Sequence, residues 1–191
     1  MISISIIGSA GRNDDADKLN RDIFIKMYNK ANDTLNDIIK TKKIQYSDII
    51  LRSGGAAYSD HIAVLLFLKY KKNNIKLELH LPCKYIVNDT EKIIMFVGNN
   101  KTASTATKYH DDFNKKCNLN SFNEIYYALK LGATFFEYNG FYARNKHVGN
   151  SDYLVAFTFG KNNVPKKGGT KHTWDNSSCK NKIHYSIHNF T

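Results

Sequence analysis

Gly149-Asn-Ser-Asp-Tyr-Leu-Val-Ala-Phe-Thr-Phe-Gly160, then Lys161-Asn-Asn-Val-Pro-Lys-Lys167, then Gly168-Gly-Thr-Lys-His-Thr-Trp-Asp175, decides how the rest of the chain is read. Residues 153–159 are a short run of apolar, aromatic and β-branched side chains between two glycines. The run is too short and too β-prone for a buried helix, so it predicts a buried central strand. A basic loop follows. Gly168 and Gly169 then let the backbone turn sharply. Thr170 is the expected N-cap of a helix starting at Lys171, whose free amides and positive dipole end would face the loop. Such a turn receives anions.

The same device recurs twice upstream. Ile2, Ile4, Ile6 and Ile7 predict a first strand, ended by Gly8-Ser-Ala-Gly-Arg12. Asp14 or Asp17 is expected to cap the helix that follows, in which Ile23, Met27, Ala31, Leu35 and Ile38 recur at helical spacing to about Lys40. Ile49-Ile-Leu51 predicts a second strand, with Ser53-Gly-Gly-Ala-Ala57 directly after it and an apolar helix over 58–70. Leu77, Leu79 and Leu81 alternate with polar residues as a third strand should. Strands this far apart need right-handed crossovers in a parallel sheet.

Beyond Pro82 the pattern loosens. Residues 92–97 predict a short strand and 102–116 a polar helix; Phe122, Ile125, Tyr126 and Leu129 mark a further helix, while 134–142 fits no period. A final strand is expected over 182–187. The fold class is therefore α/β: one domain over 1–191, with a Rossmann-like open, mainly parallel sheet, helices on both faces and an inserted lid-like segment at about 84–141.

Lysine and arginine total 28 against 17 acids, a formal net charge of +11. This asks for an anionic partner: a nucleotide, nucleic acid or a membrane surface. Yet only four of the 28 are arginines, and the 22 asparagines with many lysines and isoleucines carry the codon bias of an AT-rich genome, as in some viruses and bacteria. Much of the charge is therefore compositional. No run of about 18 apolar residues exists to span a bilayer, so no membrane role is expected, and the opening isoleucines read as a strand rather than a signal peptide. Cys83, Cys117 and Cys179 are widely spaced, which predicts neither a zinc site nor a disulfide framework and makes a reducing cytoplasm the expected compartment. The sequence calls for no cofactor or metal.

In an open α/β sheet the loops at the carboxyl ends of the strands share one edge, and ligands bind there. Those loops are 8–12, 53–57 and 168–170. The candidate phosphate cradle is built from Gly8, Ser9, Gly11 and Arg12 of the first turn, Ser53, Gly54, Gly55 and Ala56 of the second, and Gly168, Gly169 and Thr170 of the third. Lys171, His172 and Thr173 extend it into the last helix, and Lys166 and Lys167 raise the local potential. Arg144 with Asn145 is a candidate phosphate clamp. Asp60, beside His61, is the carboxylate placed to bind ribose hydroxyls or assist glycosidic cleavage. Neither G-x-x-x-x-G-K-[ST] nor G-x-G-x-x-G is present.

Taken in order, Gly8-Ser-Ala-Gly-Arg12, Ser53-Gly-Gly-Ala56 with Asp60, Arg144-Asn145, Asp152-Tyr-Leu-Val-Ala-Phe157 and Gly168-Gly-Thr-Lys-His-Thr173 resemble the SLOG superfamily. That superfamily groups Rossmann-like domains such as the LOG phosphoribohydrolases, the DprA DNA-processing proteins and the small YspA-type proteins, and the YspA-type pattern is the nearest. The resemblance covers the chain outside about 83–141. It implies a nucleotide or nucleotide-derived small molecule bound across the glycine turns.

In the LOG enzymes the last motif reads P-G-G-x-G-T-x-x-E, and its glutamate, with an arginine, serves cleavage of the N-glycosidic bond. Here Thr173 stands in the glutamate's place, and Asp175 lies about 200° further around a helix. The expected function is therefore capture of the ligand, to sense or sequester it. Hydrolysis of an N-glycosidic bond, with Asp60 as the catalytic carboxylate, is the alternative. Single-stranded DNA binding ranks third, because no basic-aromatic repeat stands out. A homo-oligomer is left open.

Overall fold

Side chains of β1 (Ile2–Gly8) alternate between two cores. Ile4 and Ile6 enter a large core on one face of the sheet, whereas Ile7 joins a smaller one on the other. β7 (Tyr153–Thr158) does the same, sending Val155 and Phe157 to the large core and Leu154 and Ala156 to the small one. Strands buried on both faces are what parallel pairing under crossover helices requires. The computed structural model describes residues 1–98, 101–161 and 163–191.

Between these strands the chain forms α1 (Arg21–Lys42), β2 (Ile49–Ser53), α2 (His61–Tyr70), β3 (Lys76–Leu81), β4 (Lys84–Asn88), β5 (Ile93–Val97), α3 (Lys101–Cys117), α4 (Ser121–Lys130), β6 (Thr134–Glu137) and α5 (Phe141–Gly149). After β7 come α6 (Gly169–Asn176) and β8 (Asn181–Ser186). The main sheet has the order β6-β3-β2-β1-β7-β8, with every pairing parallel. β4 and β5 form a separate antiparallel pair. Helices α1 to α4 supply the large core and α5 and α6 the small one, so the sheet is covered on both sides. This is an open α/β, Rossmann-like fold. The chain winds outward from β1 to β6, then resumes on the other side of β1 with β7 and β8. The strand order therefore reverses between β1 and β7.

β7 is interior, one strand in from the edge, as its apolar run requires. Three local expectations change. α1 starts at Arg21 and is capped by Asn20, whose Oδ1 accepts from the Ile23 amide at 3.0 Å. Asp14 is instead in a short 3-10 turn at Asn13–Asp15, so the first glycine turn does not open a helix. α6 begins at Gly169 with Gly168 at the N-cap. Thr170 is not the cap, because its hydroxyl donates to the Gly8 carbonyl at 3.0 Å.

The stretch 134–142 had no period because it holds two elements. β6 is an edge strand exposed at all four positions, and α5 follows from Gly140. The 84–141 segment shares the large core: Phe113 of α3 is fully buried, 4.8 Å from the Phe24 ring and 4.4 Å from that of Tyr58. Among the described residues of this segment, only Ala106, Tyr109 and Phe141 reach the candidate cleft or the crevice beside it.

His110 ties α3 to the second glycine turn. Its Nε2 lies 2.9 Å from the Gly55 carbonyl and its Nδ1 2.8 Å from the Ser121 hydroxyl. A carbonyl only accepts, so Nε2 carries the proton and Nδ1 accepts from Ser121. The neutral ring satisfies both contacts. Burial first, and His61 nearby, lower its pKa from 6.5 to about 3, against the pull of the Gly55 carbonyl. The unfolded chain therefore binds this proton more readily, and the stability present above pH 6.5 is lost as the pH falls toward 3. The expected loss is about 1.4 kcal/mol per pH unit. His80, lowered to about 4 chiefly by burial, acts in the same direction. Urea unfolding of His110→Gln between pH 4 and pH 6 is thus expected to show a reduced slope with pH compared with the unsubstituted protein, but not a flat one.

Candidate functional site

The three glycine turns are stitched together. The Ser59 hydroxyl lies 3.0 Å from the Ser9 carbonyl and 3.3 Å from that of Phe157. The Thr170 hydroxyl crosses from α6 to the Gly8 carbonyl, and the Ser9 amide donates to the Phe157 carbonyl at 2.8 Å. Gly8 sits where these strands converge: a Cβ there would come within 2.0 Å of the Phe157 carbonyl oxygen and 2.5 Å of the Ser59 hydroxyl. Only a residue without a side chain fits.

Below the turns lies a buried ion pair. Arg144 Nη1 of α5 donates to Asp60 Oδ2 at 2.9 Å, with the two residues 6% and 4% exposed. Burial pushes the Asp60 carboxyl upward, opposed by Arg144 and by the backbone amides of Ala56 and Gly54. The carboxylate thus occupies the place in the second turn where an external anion was expected. Ser53 supports it from beneath, donating to the Asp60 carbonyl at 2.8 Å and accepting from the Gly55 amide at 3.0 Å. A Cβ on Gly54 would fall 1.3 Å from Arg144 Nη1. Gly54 therefore makes room for a guanidinium of the protein itself, while a Cβ on Gly55 would instead meet the Leu81 side chain.

Above this pair opens a cleft of about 620 Å³, at the carboxyl ends of β1 and β7 where the strand order reverses. Gly8, Ser9 and Arg12 line it from the first turn, Ala56 and Asp60 from the second, and Gly168, Gly169, Thr170 and Thr173 from the third, with Arg144 and Asn145 from α5. Gly54 and Gly55 lie to one side, around a small crevice shared with Arg12 and Arg144. Gly11 and Ser53 lie outside both sets of lining residues. So do Lys171, whose Nζ pairs with Asp175 Oδ1 at 2.5 Å, and His172, whose ring packs edge-on to Tyr142 at 5.3 Å. Thr173 faces the cleft, but its hydroxyl donates back to the Gly169 carbonyl at 3.0 Å.

Cations and acids share the walls. Lys166 reaches Asp15 Oδ1 at 2.8 Å, and Ser9 donates to Asp15 Oδ2 at 2.9 Å, so Asp15 links the first turn to the loop before α6. Lys167 is exposed on the same loop. That loop is closed by Thr158, whose Oγ1 accepts from the amides of Gly160 and Lys166. The Arg12 guanidinium lies 4.9 Å from the Phe141 ring centre and 5.3 Å from that of Tyr109. Sequence reasoning missed Asp15 and Phe141. Asp15 stands in an acidic run that reads as helix capping, and the aromatic stretch around Phe141 gave no period.

The ion pair yields a stability expectation. Asp60→Ala leaves a buried guanidinium unpaired and is expected to cost about 3–5 kcal/mol. Adding Arg144→Leu should recover part of that loss, because the uncompensated charge is gone. Gly54→Ala, which drives a methyl group into the pair, should destabilise the protein although alanine is small. Urea unfolding of the four proteins checks all three expectations.

No protein-family model matches the chain, and no solved structure matches it. A curated relative does: over 189 residues the chain is 31% identical to "Uncharacterized protein R261" of Acanthamoeba polyphaga mimivirus, covering 97% of this chain and 96% of the relative. On this similarity, sustained over nearly the full length of both proteins, the chain belongs to the family of that mimivirus protein.

Proposed function

We propose that the protein is a nucleotide-binding domain of the SLOG type, which captures a nucleotide or nucleotide-derived small molecule in the cleft between β1 and β7. The observation that carries this reading is the meeting of three turns from separate strands around one 620 Å³ hollow at the sheet's switch point. Ligands of open α/β folds bind at that place, and the volume lies in the range of small-molecule sites. Arg12 and Lys167 beside it, with the start of α6, supply the donors and positive potential that a phosphate needs, whereas Lys166 is already paired with Asp15.

N-glycosidic hydrolysis is the second reading, favoured by the presence of Asp60 among the lining residues. Binding without turnover agrees better with the geometry. The Asp60 carboxyl already faces Arg144 and two backbone amides, which leaves it poorly placed to activate water. Thr173 stands where the LOG glutamate would be, and Asp175 is held by Lys171 away from the cleft.

Thermal unfolding with AMP, cyclic AMP, ADP-ribose and inorganic phosphate tests the proposal. A true ligand at about 100 times its Kd is expected to raise Tm by roughly 5–10 °C, and chromatography should recover it unchanged. Lys167→Ala should weaken binding without altering Tm of the free protein. Steady release of free base would favour the hydrolase, and no shift with any of the four would remove the binding reading.

A further inference from the structure

Resting on that reading, a second feature of the cleft says what kind of phosphate compound it takes. Tyr142 stands in the first turn of α5 and is 72% exposed, yet it lines the cleft. A lone exposed aromatic on a surface needs no explanation. This one has company. Its ring meets His172 edge-on at 5.3 Å and so lies beside the first turn of α6, the anion-attracting end of that helix. The adjacent Phe141 already holds a flat cation, with the Arg12 guanidinium 4.9 Å from its ring centre. Among the described residues no carboxylate pairs with Arg12, which leaves its donors for a ligand.

One wall of the cleft therefore offers donors for an anion and the neighbouring wall offers aromatic faces. Planar bases stack on exposed aromatic rings whatever their sequence identity, because every base has a π-face. A sugar phosphate has a group for the first wall only.

We propose that Tyr142 is the stacking platform for the ligand's base, so that the cleft takes nucleoside phosphates in preference to sugar phosphates, and purines before pyrimidines. The larger purine ring covers more of the phenol face, which sets the order.

Calorimetric titration of the full chain with AMP, UMP and ribose 5-phosphate decides the matter, using the unsubstituted protein, Tyr142→Ala and Tyr142→Trp. AMP is expected to bind more tightly than UMP, and UMP more tightly than ribose 5-phosphate. Tyr142→Ala should weaken AMP about tenfold, at the modest end of what one stacked base contributes, while leaving ribose 5-phosphate unchanged; Tyr142→Trp should restore AMP. Because the side chain is exposed, folding is not at issue, and equal Tm values check this. AMP and ribose 5-phosphate binding equally, both indifferent to Tyr142→Ala, would overturn this proposal and leave the phosphate site standing. No binding by any of the three would remove both.

Discussion

The buried contact between Arg144 and Asp60 ties together elements from both faces of the sheet. It joins α5, on the small-core face, to the start of α2 on the large-core face, past the end of β2. Two charges out of water are stable only with close geometry and further hydrogen bonds; the 2.9 Å contact and the amides of Gly54 and Ala56 supply these at Asp60, whereas Arg144 Nε is buried with no hydrogen-bond partner among the described residues. The backbone must pass directly beneath the guanidinium, and Gly54 lets it do so. The second turn is therefore shaped around an internal anion.

That arrangement divides labour among turns that look alike in sequence. The first and third lie against the cleft and are tied to each other by Thr170 and, through Asp15, by Lys166. The second supplies the floor. On the proposed reading an external anion would meet the start of α6, Lys167 and Arg12, while the Asp60 charge below is already matched. The electrostatics thus favour a ligand whose negative end sits toward the third turn. The rings of Phe141 and Tyr142 line the cleft on the α5 side.

Much of the fold was legible. β1, β2, β3, β7 and β8 were readable because strands buried on one or both faces carry apolar runs or clean alternation, and α1 because its apolar residues recur at helical spacing. β6 and α5 were not. An exposed edge strand has no buried side to impose a period, and α5 buries only Arg144, Val148 and Gly149. In the site, the glycines marked where backbone comes close to something, without saying to what. Gly54 accommodates Arg144, a residue 90 positions later, and nothing local to either one announces the other.

By itself the sequence determined that this chain forms an open parallel α/β sheet and that its strands end in small-residue turns, since periodicity and the absence of side chains are local properties. Tertiary structure alone decided which turns line the cleft, which one is filled by Asp60, and that Asp15, Phe141 and Tyr142 join them. The reason is physical: whether an amide or a guanidinium is free for a ligand depends on what the rest of the chain has already brought within hydrogen-bonding distance, and those partners come from far along the sequence.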